Sequence, residues 1–422
     1  MSAQLTLPQT NAGPWQNRPF HRQYLMRQAN NLFDFFQAAS INRQGGFFEL
    51  DDDGKPLNAG NATRQVHVTT RMVHCFAIGS LIGRPGSDEI VDHGMRYLWD
   101  KHRDHKHGGY VWGLDNNGVT DSSKQAYGHA FVLLAASSAK LVGHPLADQM
   151  LADVTEVINT RFWDNSVGAV KEEFANDWSE ITQYRGQNSN MHLTEALMAA
   201  YEATGDKAYL AKAERIAELI IAKHAAPLGY RVAEHFDQDW VLDKDYVGSE
   251  MFRPSGTTPG HWLEWARLLM QLWVLGDKRL SWLTEAARNL FHQSIELGWD
   301  KVHGGFFYTL DWDNQPIMRE KLWWPVSEAI GAASFLSAYE RDNYFQAWYR
   351  KLWDYAENHV IDHRRGGWMS ELTEDLTPTS RLFTGKPDIY HALQACLIPL
   401  YPTTGSLTKA IIETDHLQKY HR

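Results

Sequence analysis

Two kinds of helix alternate along the chain. The first is apolar or small on most faces, at 68–82, 125–142, 190–204, 261–275, 326–339 and 389–400. A helix apolar all round is buried all round. The second is amphipathic, at 21–38, 88–102, 147–162, 208–224, 282–297 and 343–360. Breaks such as Gly205-Asp206, Gly276-Asp277 and Gly143-His144-Pro145 separate the two kinds, as turn chemistry requires. A Gly-Gly turn with an aromatic after it precedes many of the buried helices: Gly45-Gly46-Phe47, Gly108-Gly109-Tyr110, Gly304-Gly305-Phe306 and Gly366-Gly367-Trp368. Weaker copies stand at Gly168-Ala169-Val170 and Gly229-Tyr230-Arg231. Each reads as a tight turn into a short hairpin strand.

The first glycines of these turns are 63, 60, 61, 75 and 62 residues apart, a six-fold repeat with an insertion in the fourth unit. Each unit supplies one buried and one amphipathic helix. Six such pairs close into an (α/α)6 barrel, with the buried helices as an inner ring, spanning residues 1–422 as a single domain. Units of this length also stack as open solenoids. A solenoid wants near-identical units and polar caps, which this chain lacks.

Composition narrows the class. The chain has 422 residues, 43% hydrophobic, and a net charge of −10. It has no basic run to attract nucleic acid or an anionic membrane. No apolar run is long enough to span a bilayer, and the first fifteen residues lack the pattern of a signal peptide. Cys75 and Cys396 both lie in apolar helical stretches without CxxC spacing, which points to a reducing, cytoplasmic setting without disulfides. The 17 Trp, 17 Tyr and 18 Phe fill a helical barrel or stack on sugar faces.

Polar residues recur at one phase of the repeat, where each buried helix starts. Counted from the marker glycines, Arg71 lies 26 residues on, His129 21, His192 24, His261 32, Glu328 24 and His391 25, the 32 falling in the unit with the insertion. Equal phase puts them at one mouth of a barrel. The fourth-unit hairpin adds Arg231, Glu234 and His235. His192-Leu193-Thr194-Glu195 and His261-Trp262-Leu263-Glu264 place a carboxylate three residues after a histidine, on one helix face. There it can fix the ring's tautomer and raise its basicity. The same pairs are compatible with a carboxylate-bridged metal or with plain hydrogen-bonded helix ends. Asp388 caps the helix that carries His391. Trp324 sets a ring beside Glu328, an arrangement suited to stacking and hydroxyl binding.

Tyr184-Arg185-Gly186-Gln187-Asn188, Tyr230 to Asp237, Pro259-Gly260-His261-Trp262-Leu263-Glu264, Trp324-Pro325-Val326-Ser327-Glu328 and Asp388-Ile389-Tyr390-His391 resemble, in order and over nearly the whole chain, the N-acylglucosamine 2-epimerase superfamily. The likeness is nearest its aldose–ketose isomerase branch. The resemblance implies an (α/α)6 barrel and proton transfer between two histidines without a metal or other cofactor. By motif these are His261 and His391. Arg71, Asn188, His192, Arg231, Glu234, Glu264, Trp324, Glu328 and Asp388 fall at substrate-binding positions, with Glu264 expected to orient His261.

Isomerisation through a cis-enediol needs a base with a pKa near operating pH, which histidine supplies. No phosphate loop is evident, and Pro387 offers no donor to a sulfonate. The expected reaction is therefore mannose–fructose interconversion. A sulfonated hexose, or epimerisation at C2, remains open. So does a different class: an (α/α)6 glycoside hydrolase using two of Glu234, Glu264, Glu328 and Asp388, or a sugar-binding barrel with dispensable histidines. The partner expected is a monosaccharide, with no nucleic acid or membrane; monomer and homo-oligomer are both open.

Overall fold

The computed structural model describes residues 13–340 and 343–420. Six helices form the inner ring: α2 (Val66–Leu81), α4 (Ala126–Leu141), α6 (Gln187–Thr204), α8 (Pro259–Leu275), α10 (Trp323–Tyr339) and α12 (Tyr390–Leu397). Each packs on the next, and α12 returns to α2, so the ring is closed. Six outer helices cover it: α1 (Pro19–Ala39), α3 (Ser87–Tyr97), α5 (Ala147–Val157), α7 (Lys207–Ala217), α9 (Trp282–Gln293) and α11 (Asn343–Tyr355). Each outer helix lies on one inner partner. Five of them end in a wide π-type turn, for example Ala356–Val360 after α11. The (α/α)6 barrel predicted from the repeat is the fold observed, and the predicted inner helices are met to within a few residues.

Buried apolar residues from Leu25 to Ile411 form one continuous cluster. Trp262, Trp265 and Trp353 are among its largest fully buried members, so part of the Trp excess is core filler. Both cysteines are buried and free. The polar C-terminal stretch is helical, as α13 (Leu407–Tyr420). It buries Leu407, Ala410 and Ile411. Among the described residues no helix is long and apolar enough to cross a membrane.

The Gly-Gly turns reverse the chain as each outer helix ends. Ile41 pairs with Phe47, Arg103 with Tyr110, Trp299 with Phe306 and Ile361 with Trp368. Both glycines take positive φ, 84° and 77° at Gly304 and Gly305, where a side chain would be strained. In the fourth unit Tyr230 accepts this strain at φ 62°.

Three of these turns are pinned by a buried ion pair. Lys124 bonds Asp104 at 2.9 Å, Lys321 bonds Asp300 at 2.9 Å and Lys386 bonds Asp362 at 2.6 Å. Each lysine stands just before an inner helix, so the pair locks turn to barrel. Burial opposes ionisation of these aspartates. The lysine and backbone N–H donors outweigh it, holding Asp300 and Asp362 at about 2 and Asp104 lower still. A carboxyl depressed on folding contributes stability above its unfolded pKa of ~3.9 and loses it as pH falls through the folded value. Thermal stability should therefore drop between about pH 4 and pH 2. Lys321→Met should flatten that dependence and cost about 2 kcal/mol at pH 7. The loss stays modest because Val302 and His303 N–H still serve Asp300, and because burial already pushes the Lys321 amine down. Thermal denaturation across pH for both proteins checks this.

Candidate active site

The mouth formed by the N-terminal ends of the inner helices opens a cavity of about 350 Å³. Arg71, Asn188, His192, His261, Glu264, Trp324, Asp388 and His391 line it; Arg71, His192, His261 and His391 are four of the six residues that the phase of the repeat places there. Two histidines there share one arrangement. His261 Nδ1 lies 2.9 Å from both oxygens of Glu234. His391 Nδ1 lies 2.8 Å from Glu328 Oε1. Burial alone would raise both carboxyls. His261 holds Glu234 below the usual carboxylate range, and Arg267 with His391 holds Glu328 well below it. Each carboxylate therefore accepts a proton from Nδ1. That leaves the Nε2 lone pair of each ring directed away from its partner. The Trp324 indole sits between the rings, 5.0 Å from His261 and 6.1 Å from His391, centroid to centroid.

Glu234 and Glu328 are thus positioning residues behind the histidines and do not line the cavity, contrary to the expectation that both bind substrate. The within-helix pairing of His with Glu three residues on is also corrected. Glu234, from the fourth-unit hairpin, orients His261, while Glu264 sits 3.6 Å from His192. Glu195 bonds Arg267 at 3.1 Å and the Tyr390 hydroxyl, not His192. The reason is Arg267, one turn beyond Glu264. Only 1% of its side chain is exposed, and it bonds Glu328 at 2.7 Å and approaches Glu264 at 3.7 Å. A buried guanidinium draws the nearest carboxylates. Glu264 faces it without a hydrogen bond. Burial, then Glu328, pushes the Glu264 carboxyl well above its ordinary value, a shift toward the protonated form that can donate to a hydroxyl.

Arg71 bonds Asp388 at 2.6 Å and the Tyr127 hydroxyl at 3.0 Å. Burial opposes Asp388's ionisation, but Arg71 keeps it below the usual range. Asp388 also caps α12, accepting from Tyr390 N–H at 2.9 Å. Burial, with Arg71's charge, depresses His192 well below 6.5 and His67 to about 3. Both are neutral rings suited to hydroxyls.

Three predicted rim residues lie elsewhere. Arg231 bonds the carbonyls of Leu228 and Trp312 and the Asn314 side chain. It stacks over Trp312 in the fifth-unit hairpin and does not reach the cavity. His129 accepts the Tyr110 N–H at 3.0 Å, so it braces a Gly-Gly turn. His235 likewise binds Pro254 O at 2.7 Å, outside the cavity. The residues not anticipated are His67, Tyr127, Tyr308, Glu49 and Lys386, all on the cavity wall. His67 is one helical turn before Arg71, a signal available in the sequence. Met251 and Phe252 come from the fourth-unit insertion, which periodicity does not address.

Groups of possible metal ligands exist at His192, Glu195 and Glu264 and at Glu264, Glu328 and His391. Both surround Arg267, whose positive charge occupies the space between the carboxylates. A third, Asp300, His303 and Glu374, has Lys321 on Asp300.

The profile of the N-acylglucosamine 2-epimerase (GlcNAc 2-epimerase) family matches residues 45–395. A D-mannose isomerase of Pseudomonas cannabina pv. alisalensis is 42% identical over 95% of this chain and 98% of its own length. A D-mannose isomerase of Thermobifida fusca is 42% identical over 94% and 98%. A crystal structure of a D-mannose isomerase superposes with a TM-score of 0.84 at 33% identity, covering 90% of this chain and 97% of that one.

Proposed function

Because the chain belongs to the N-acylglucosamine 2-epimerase family, we propose that it interconverts D-mannose and D-fructose, an aldose–ketose isomerisation. The observation that carries this reading is the pair of histidines on one cavity, each with Nδ1 tied to a buried carboxylate. The resemblance of 42% to two D-mannose isomerases over nearly the full chain selects the substrate.

The reaction moves a proton from C2 to C1. A base takes the C2 proton of the open-chain aldose while O1 gains a proton, giving the cis-enediol. The carbon-bound proton is returned at C1 as the O2 hydroxyl loses its own, leaving the ketone. Negative charge builds on O1 and O2 meanwhile, and a preorganised cation lowers that barrier. The Arg71 guanidinium lies 4.8 Å from the centre of the Tyr390 ring, and that ring is 4.7 Å from His391's, so Arg71 and His391 flank one side of the cavity. We assign the carbon-to-carbon transfer to His391 and enediolate stabilisation to Arg71. His261 then serves ring opening, exchanging protons with the O1 hydroxyl and the ring oxygen. Glu264, neutral His192 and His67, and Asn188 hold the hydroxyls, with Trp324 under a sugar face. Among the described residues, Asn188 Oδ1 and His192 Nδ1 are buried without a hydrogen-bond partner, as groups awaiting a ligand would be. Free, buried Cys75 and Cys396 accord with a cytoplasmic site of action.

Incubation of the protein with D-mannose in D2O, followed by NMR, tests the reading. Fructose should form with deuterium entering C1. Glucose without fructose would make the enzyme a 2-epimerase, and an unchanged mannose spectrum would reject the substrate.

A further inference from the structure

The Glu49 carboxylate reaches the same cavity from the first hairpin and has no role in the chemistry above. Its backbone is fixed. Glu49 O accepts the Leu57 N–H at 2.7 Å, and Leu50 O accepts the Lys386 N–H at 2.9 Å. The hairpin is pressed so closely on the segment before α12 that a Cβ on Gly385 would lie 2.0 Å from Leu50 O. Glu49 is therefore held beside Asp388, and its carboxyl is raised by burial and then by the Asp388 charge.

The other charges on the wall are compensated. Arg71 is bonded to Asp388 at 2.6 Å and Lys386 to Asp362 at 2.6 Å, while Glu264 faces the Arg267 guanidinium at 3.7 Å. Among the described residues, the side chain of Glu49 makes no hydrogen bond or ion pair. The wall thus offers one acidic group without a compensating partner, and it is Glu49.

We infer that Glu49 sets the charge specificity of the cavity: it accepts a hydroxyl of a neutral sugar on the Arg71–Asp388 side and excludes sugars bearing a sulfate or phosphate. The inference rests on the sugar-isomerase reading above. An anionic substituent in this cavity finds no free cation, and it faces a carboxylate in a medium where like charges repel more strongly than in water. A neutral hydroxyl gains a charge-assisted hydrogen bond there.

The test compares wild type, Glu49→Ala and Glu49→Gln, with melting temperatures measured alongside, for mannose turnover and for inhibition by mannose 6-sulfate, whose charge does not titrate. Glu49→Ala should raise KM for mannose about ten-fold with kcat within about three-fold, the signature of lost uniform binding. Glu49→Gln keeps the shape and an acceptor. It should raise mannose KM by about three-fold, less than Glu49→Ala does, because only the charge-assisted part of the bond is lost, while tightening inhibition by the sulfate about ten-fold. An unchanged KM in Glu49→Ala overturns the hydroxyl contact, and unchanged inhibition in Glu49→Gln overturns the exclusion. If wild type converts mannose and neither effect appears, only this inference falls. If wild type leaves mannose untouched, the proposed function falls and takes the inference with it.

Discussion

His391→Asn should lower kcat for mannose isomerisation by at least ~10³-fold, the span of a positioned acid–base group, with little change in melting temperature. Asparagine fits the space and its amide can donate to Glu328 Oε1, as Nδ1 does now at 2.8 Å. What it lacks is the second ring nitrogen that takes the C2 proton. NMR in D2O should then show loss of both fructose formation and C2 exchange. Glu328→Gln should cost less, about 10- to 100-fold. The ring and its lone pair remain, but the carboxylate that fixes the tautomer and stabilises the imidazolium is gone. The order of the two effects separates this chemistry from a carboxylate hydrolase, where the Glu change would be the more damaging. A His391→Asn enzyme that retains turnover would remove His391 from the reaction.

Much of this was legible before the fold. The spacing of the Gly-Gly turns gave six units, and burial on all faces distinguished inner from outer helices. The common phase of Arg71, His192, His261 and His391 placed them at one mouth. The sequence was less informative about which carboxylate serves which ring. His-x-x-Glu on one helix face suggests a local pair, yet Glu234 reaches His261 from a hairpin 27 residues earlier. Such contacts depend on how neighbouring units meet, and no single-helix periodicity encodes that. Phase also misled at His129, and the fourth-unit hairpin misled at Arg231; both side chains turn to neighbouring hairpins. A shorter offset of 21 residues at His129, against 24 to 26 in most units, was the available warning. Another legible signal was the basic residue before inner helices, at Lys124, Lys321 and Lys386. Each places a charge in a buried segment, a strand at Lys124 and Lys321 and a loop at Lys386, which an aspartate in the turn behind compensates.

Arg267→Met should destabilise the protein by about 3–5 kcal/mol at pH 7, the cost of stranding buried charge, lowering Tm by about 5–10 °C. Methionine replaces the aliphatic stem but not the fork. Glu328 loses its 2.7 Å partner, Glu195 its 3.1 Å partner, and Gln271 a donor at 3.2 Å. The pH dependence identifies the cause. In the native protein Glu328 is depressed well below its ordinary value, with Arg267 the largest influence against burial. It contributes stability above the unfolded pKa of ~4.3 and loses it as pH falls. Without Arg267, burial dominates and Glu328 binds its proton more tightly folded than unfolded. Its contribution then reverses sign: it is complete below the unfolded pKa and lost as pH rises through the folded one. The gap in Tm between wild type and variant should therefore be widest near pH 8 and should narrow toward pH 5. A gap that stays constant would mean that Arg267 acts by filling space, with its three carboxylates already neutral. Arg267→Lys should recover part of the loss, since an ammonium restores charge but cannot reach both Glu328 and Glu195 with fixed parallel donors. Isomerisation should fall with stability in Arg267→Met, because Glu328 protonated for want of Arg267 no longer accepts the Nδ1 proton of His391, and the ring loses the tautomer its chemistry requires.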